Sequence, residues 1–109
     1  MDFLRYQFLA KQYAIYPNIG TNYEYPLKGL FSEVGEVADK FKKIERDKNN
    51  IRTTEDDLAI GKELGDCLWY ISQLASELDL NLDVIAQDNL AKLQKRMDEN
   101  KLKGSGDNR

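Results

Sequence analysis

The sequence predicts an all-α fold, organised as a four-helix bundle-like protomer. Apolar residues recur at helical spacing in four segments, and no segment alternates apolar and polar residues as a half-buried strand does. Two prolines interrupt the 109 residues, and the stretches between the segments are rich in turn-forming residues. We therefore expect one helical domain over residues 1–103 and a flexible tail over residues 104–109, which read GSGDNR.

The first two predicted helices are separated by a tyrosine-rich loop. The first helix is expected from Asp2 to about Ile15, and the loop YPNIGTNYEYP follows it. Pro26 suits the first turn of the second helix, which continues to about Arg46. The tyrosines before this helix have two interpretations, stacking on a nucleobase or filling the space under the loop; they are Tyr13, Tyr16, Tyr23 and Tyr25.

The last two predicted helices begin at polar caps. Thr54 and Asp57 resemble a capping box, with Asp in place of Glu or Gln, and open a third helix that continues through Leu78. Asn81 is a good N-cap for the fourth helix, which is expected to end near Asn100.

Composition restricts the partners and the setting of the chain. The net charge of −3 provides no overall basic field, so no nucleic acid polymer is expected as a partner. The single cysteine, Cys67, has no second thiol for an internal disulfide, which favours a cytoplasmic location. No apolar run approaches the ~20 residues of a membrane span, so no membrane partner is expected.

Two acidic pairs are the most informative pattern in the chain. Glu33 and Glu36 lie in the second predicted helix, and Glu63 and Asp66 lie in the third, each pair with i, i+3 spacing. Helices packed side by side would bring four carboxylates together, and such a cluster is costly unless a cation neutralises it. Oxygen ligands suit Mg²⁺, and the absence of histidine argues against zinc. The alternative is a pair of ordinary solvated helix faces.

The surroundings of the acids favour a site over a solvated face. Gly35 and Gly65 occupy the same place in each pair, and glycine inside a helix costs roughly 1 kcal/mol relative to alanine. We therefore expect something to approach the backbone closely at both glycines. Core-type residues flank the acids, namely Leu30, Phe31, Val34, Val37, Ala38 and Phe41 in the second helix and Leu64, Cys67, Leu68, Trp69 and Ile71 in the third.

A row of polar and basic residues lies on the fourth helix. Asn89, Lys92 and Arg96 are spaced i, i+3, i+7 and share one face, which suits an anion with several oxygens or is simply a solvated basic face. Leu90, Leu93 and Met97 on the neighbouring face have the spacing of core residues. Lys40 and Lys43 extend the acidic face of the second helix. They are either further phosphate contacts or i, i+4 partners of Glu36 and Asp39.

These motifs resemble the MazG-like all-α nucleoside triphosphate pyrophosphohydrolases. The similarity rests on E-x-x-E at 33–36, E-x-x-D at 63–66 and N-x-x-K-x-x-x-R at 89–96, and it extends from about Tyr6 to Arg109. The resemblance implies hydrolysis of a nucleoside triphosphate between the α and β phosphates, giving a monophosphate and pyrophosphate. It implies Mg²⁺, with Mn²⁺ as a possible substitute, held by the four catalytic carboxylates of Glu33, Glu36, Glu63 and Asp66.

The resemblance also suggests roles for the remaining site residues. Asn89, Lys92 and Arg96 would hold the leaving phosphates, with Lys43 as a further contact, and Glu33 is our choice for the carboxylate that takes a proton from water. The tail is expected to fold over bound nucleotide so that Arg109 contacts a phosphate or closes the pocket, the alternative being a frayed terminus. Relatives of this family imply a homodimer or homotetramer. Abundant bulky apolar residues agree with such an assembly; they are Phe3, Phe8, Phe31, Phe41, Trp69 and Ile71.

Two questions stay open from the sequence. The first is whether the chain is an enzyme. A catalytically inactive helical nucleotide-binding or oligomerisation module stays an alternative, because a sequence does not demonstrate turnover. Among enzymes, a deoxynucleotide-specific activity on dCTP or dUTP, broad removal of unwanted nucleotides and hydrolysis of phosphoribosyl-ATP all fit the same residues.

Overall fold

Four α-helices make up the architecture of the computed structural model, which describes residues 1–107. They are α1 (Phe3–Ala10), α2 (Glu24–Asp47), α3 (Thr54–Glu77) and α4 (Leu82–Asp98), and a 3-10 turn, Lys11–Tyr13, follows α1. The described residues contain no strand. The predicted all-α fold with four helices is therefore confirmed.

The predicted cap of α4 is confirmed, whereas the capping box of α3 was predicted one residue too late. The Asn81 side chain accepts hydrogen bonds from the backbone N–H groups of Asp83 and Val84. The capping box of α3 joins Thr53 to Asp56, not Thr54 to Asp57. Both registers satisfy the motif. Asp56 has the additional advantage of an ion pair with Lys48, whose Nζ lies 2.8 Å from its carboxylate.

The ends of the other helices differ from the prediction by a few residues. Helix α1 ends at Ala10 instead of Ile15. At this end, the Ala10 carbonyl accepts a hydrogen bond of 3.1 Å from Trp69 Nε1. Helix α2 begins two residues before Pro26, which still lies in the first turn, where a missing N–H costs nothing. Helix α4 ends at Asp98, two residues before Asn100.

The long helices α2 and α3 form a hairpin, and α1 connects this hairpin to α4. A six-residue loop joins α2 to α3, and their mutual packing is the most extensive in the fold. Helix α1 packs against both α3 and α4. Buried Gln7 fixes α1 at this junction, because its amide donates to Ser76 Oγ and the Leu80 carbonyl and accepts from the Leu82 N–H.

The loop between α1 and α2 is held by Glu77 near the end of α3. Its carboxylate accepts hydrogen bonds from the Tyr16 hydroxyl at 2.7 Å and from the N–H groups of Gly20 and Asn22. Tyr16 is buried and stacks on Tyr25, with ring centroids 4.7 Å apart. Burial and the hydrogen bond to Glu77 raise the pKa of Tyr16 to about 12. Tyr16 therefore fills the space under the loop, as one of the two interpretations proposed.

One protomer leaves much of its apolar surface uncovered. The radius of gyration is 16.9 Å, whereas a compact domain of this length has about 13 Å. Several residues expected in the core are exposed, Phe31 to 76%. The core prediction is wrong, within a single protomer, for exposed positions on three helices: Phe31, Val34, Ala38 and Phe41 on α2, Leu64 and Ile71 on α3, and Leu90, Leu93 and Met97 on α4. In the described residues, no helix is long and apolar enough to cross a membrane.

Candidate metal and phosphate site

Three of the four predicted carboxylates meet where α2 faces α3. Glu33 comes from α2, and Glu63 and Asp66 come from successive turns of α3. Each offers one carboxylate oxygen, and the three oxygens lie within 4.8 Å of one another. The i, i+3 spacing places Glu63 and Asp66 on the face of α3 that meets α2. The arrangement concentrates negative charge in a small volume at the helix interface.

Glu36 stands one turn further along α2, outside this group of three. Glu36 is exposed, but its negative charge is close enough to help raise the pKa of Glu33. Lys40, a further turn along, lies with its Nζ 3.7 Å from Glu63 Oε1. Lys40 was expected to contact either a phosphate or the Glu36 carboxylate, and the structure pairs it instead with an acid of the other helix.

The fold disfavours the ionised form of Glu33. Partial burial raises the pKa of its carboxyl first, a hydrogen bond with the Glu63 carboxyl raises it further, and repulsion from Asp66, Glu63 and Glu36 adds to both. A divalent cation relieves such a cluster, because it replaces carboxylate–carboxylate repulsion with attraction. The donors are all carboxylate oxygens, which fit Mg²⁺ or Mn²⁺ better than a softer metal.

Two neighbours of the acids, Tyr6 and Tyr70, were not identified from the sequence, whereas Cys67 was named there as a core-type residue beside Asp66. Burial raises the pKa values of Tyr6, Cys67 and Tyr70, and the charge of Asp66 raises all three further. The spacing of Tyr70, four residues after Asp66, could have placed it on the same helix face. No local pattern could have found Tyr6, because it reaches the site from α1.

The close approach to the helix backbone occurs at a different glycine from those expected. Apart from the adjoining residues and the backbone of its own helix, a Cβ atom at Gly35 or Gly65 would meet no atom of the described chain within 4 Å. At Gly29, one turn before Glu33, a Cβ atom would overlap the ring of Tyr70. Gly29 is therefore the glycine of α2 that the packing of α2 on α3 requires, while the other two leave open surface beside the acids.

The predicted cations of α4 contact the chain's own tail. Lys92 Nζ and Arg96 Nη2 each lie 3.0 Å from Asp107 Oδ1, and Arg96 also donates to the Gly106 carbonyl at 3.3 Å. Arg96 is 5% exposed, and Asn89 on the same helix is exposed. The tail was expected to be flexible, yet its described part makes these contacts.

The other predicted phosphate contacts have different outcomes. Lys43 Nζ lies 2.8 Å from Asp39, which is the i, i+4 pairing proposed as its alternative role. Helix α4 packs on α1, and in residues 1–107 no hydrogen bond or ion pair joins Asn89, Lys92 or Arg96 to the four acids. Arg109 lies outside the described residues, so its phosphate contact stays a prediction.

The fold and the site together define a class, an all-α protein with a carboxylate cluster between its two central helices. The sequence profile of the MazG nucleotide pyrophosphohydrolase domain matches residues 22–100, a range that holds all four acids and the α4 cations. The chain belongs to this family. It is also similar to "Gene 37 protein" of Mycobacterium phage L5. The two are 46% identical over an alignment 109 residues long, which covers 95% of this chain and 96% of that protein. No solved structure matches the chain.

Proposed function

We propose that this protein is a Mg²⁺-dependent nucleoside triphosphate pyrophosphohydrolase. It would cleave a nucleoside or deoxynucleoside triphosphate between the α and β phosphates, releasing a monophosphate and pyrophosphate. The observation that carries the proposal is the group of three carboxylate oxygens, from Glu33, Glu63 and Asp66, within 4.8 Å of one another. Membership of a nucleotide pyrophosphohydrolase family supports the same reaction.

The residues suit a hard divalent cation and a water nucleophile. Glu33, Glu63 and Asp66 would hold Mg²⁺ together with Glu36. The bound cation would neutralise charge on the triphosphate, the main requirement of phosphoryl chemistry. Glu33 would accept a proton from the attacking water. The water oxygen would bond to the α phosphorus while the bond from that phosphorus to the α–β bridging oxygen breaks. Pyrophosphate would leave with the electron pair of that bond.

The phosphates would be held by a second group of side chains. Lys92 and Arg96 contribute two positive charges on one face of α4, Asn89 an amide, and Lys43 a further charge from α2. Because α4 packs on α1 within one protomer, we propose that the complete pocket forms between protomers of a homodimer or homotetramer. A cytoplasmic location, expected from the single cysteine, stays a prediction.

The proposed metal site predicts which carboxylates are indispensable. Glu36→Gln and Asp66→Asn should abolish Mg²⁺-dependent pyrophosphate release from nucleoside triphosphates, while circular dichroism shows an unchanged helical fold. Glu45→Gln, an exposed carboxylate elsewhere on α2, is the matched control and should keep wild-type turnover. Near wild-type activity of either site variant would mean that the metal site is wrongly assigned.

The proposed phosphate site predicts a dependence on the β and γ groups. Arg96→Ala should weaken binding of a triphosphate about ten- to a hundredfold, since a charge-assisted hydrogen bond is worth about 1.5–3 kcal/mol. Binding of the matching monophosphate, which lacks these groups, should change much less. Titration calorimetry without metal measures both, and equal losses would show that Arg96 does not contact the leaving phosphates.

One screen separates the enzyme from an inactive binding module and addresses the base. Pyrophosphate release is measured with Mg²⁺ over canonical and modified nucleoside triphosphates, including dCTP, dUTP and phosphoribosyl-ATP. Turnover of any of them supports the enzyme, and the preferred compound chooses among the open substrate classes. Tight binding without turnover of any compound would favour the binding module.

A further inference from the structure

The described part of the tail places the carboxylate of Asp107 against the two cations of α4, Lys92 and Arg96. Asp107 Oδ1 accepts a hydrogen bond from Lys92 Nζ and another from Arg96 Nη2, both at 3.0 Å. A single oxygen thus bridges two cations, as one oxygen of a phosphate group can. The same hydrogen bonds hold the pKa of Asp107 below its ordinary value, so its carboxyl is ionised at neutral pH.

The two sides of this contact differ in how deeply they are buried. The Arg96 side chain is 6% exposed, so few water molecules solvate the charge of its guanidinium. The Asp107 side chain is 79% exposed and stands at the end of a glycine-containing segment. Arg96 therefore belongs to the folded helix, whereas the exposed Asp107 carboxylate can be replaced by another anion.

We propose that Asp107 is an internal competitor for the polyphosphate site, occupying it in the free chain and leaving it when a phosphate anion binds. This inference rests on the proposed function for the identity of the anion. An exposed carboxylate ion pair is weak, and the freed tail regains conformational entropy. A pyrophosphate group presents more oxygens and more charge to the same two cations, so it displaces the carboxylate. The tail then sets the apparent affinity for phosphates and reports their binding by its release.

The experiment measures the binding of inorganic pyrophosphate to the full chain, in EDTA and at constant ionic strength. Asp107→Asn removes the competing charge, and titration calorimetry should show pyrophosphate binding about three- to tenfold tighter than in the wild type. Glu99→Gln is the matched control, because Glu99 is a nearby carboxylate that pairs with Lys101 instead. It changes the net charge equally and should leave the affinity unchanged. In a Lys92→Gln background, the gain from Asp107→Asn should shrink.

The same titration followed by NMR tests release of the tail. Amide signals of residues 104–107 should narrow and move towards random-coil positions as pyrophosphate saturates the chain. This result is the opposite of the one expected if the tail folded over the bound anion with Arg109 on a phosphate, so signals of 104–107 that move away from random-coil positions would overturn the proposal. Unchanged or weaker pyrophosphate binding in Asp107→Asn, an equal gain in Glu99→Gln, or no measurable pyrophosphate binding would each overturn the proposal. Failure of the proposed function is recognised separately. A chain that hydrolyses no triphosphate yet shows the Asp107→Asn gain retains the competition and loses the enzymatic assignment.

Discussion

Glu33 is the carboxyl through which the site influences the stability of the free protein. Its pKa is raised by burial, by the hydrogen bond with Glu63 and by the charges of Asp66, Glu63 and Glu36. A carboxyl with a raised pKa in the folded state stabilises the fold fully below its unfolded pKa. That contribution is lost as the pH rises through the folded pKa. At neutral pH, the metal-free protein therefore carries the full repulsion of the cluster.

This sign predicts that removing the Glu33 charge stabilises the metal-free protein. In EDTA at about pH 7, Glu33→Gln should raise the melting temperature by at most a few degrees, because partly solvated charges interact by about 1 kcal/mol or less. At about pH 4 the difference from wild type should disappear, because Glu33 is then largely protonated. Glu45→Gln serves as the control. A lower melting temperature for Glu33→Gln at neutral pH would refute the repulsive cluster.

The identities of the acids were readable from the sequence, while their relative positions were not. Spacing predicted that Glu63 and Asp66 share a face of α3, and the structure brings both to Glu33. Spacing gave no means of separating Glu36 from Glu33, because i, i+3 neighbours on a helix are equivalent until a second helix packs against one of them. The Lys40–Glu63 pair across the two helices has the same origin.

The pairing of α2 with α3 depends on one small residue. The ring of Tyr70 on α3 occupies the space that a side chain at Gly29 on α2 would take. The contact lies one turn before Glu33, in the same part of α2 that carries the acids. The sequence pointed instead to Gly35 and Gly65, because glycine within a helix indicates a close approach without indicating which element makes it.

Alanine substitutions should separate these glycines. Gly29→Ala should destabilise the protein by about 1–3 kcal/mol, because Tyr70 and its neighbours must shift to accommodate the methyl group. Gly61→Ala, on an open stretch of α3, is the matched control and should stabilise by about 0.5–1 kcal/mol through helix propensity. Urea unfolding measures both. Equal effects of the two substitutions would contradict the packing of Tyr70 on Gly29.

The shape of the described chain, residues 1–107, supports the proposed assembly with other protomers. The principal extents are 45 × 42 × 26 Å, and bulky apolar residues such as Phe31 and Leu90 are exposed on the helices. Exposed apolar surface of this size is more typical of a protein–protein interface than of the surface of a monomer. A neighbouring protomer could also bring an α4 helix, with its cations, to the acids of α2 and α3.

The predicted assembly can be tested by mass. Light scattering at micromolar concentration should give a dimer or a tetramer, since interfaces of this kind bury apolar surface from both partners. Phe31→Lys should lower the mass and reduce turnover together, because it places a charge on that face. Ile51→Lys in the loop between α2 and α3 is the control for an exposed apolar residue. A fully active monomer would refute the assembly and the shared pocket.

The sequence by itself determined the helices, their caps to within a few residues, the family and the residue types of the site. These features depend on local spacing and on side-chain chemistry, which the chain carries directly. Tertiary structure decided that three acids meet, that Gly29 makes the close approach, and that Asp107 faces Lys92 and Arg96. Each of these depends on which faces of separate helices pack together. Packing is a property of the whole chain, because burial of apolar surface selects the faces jointly and no single segment specifies them.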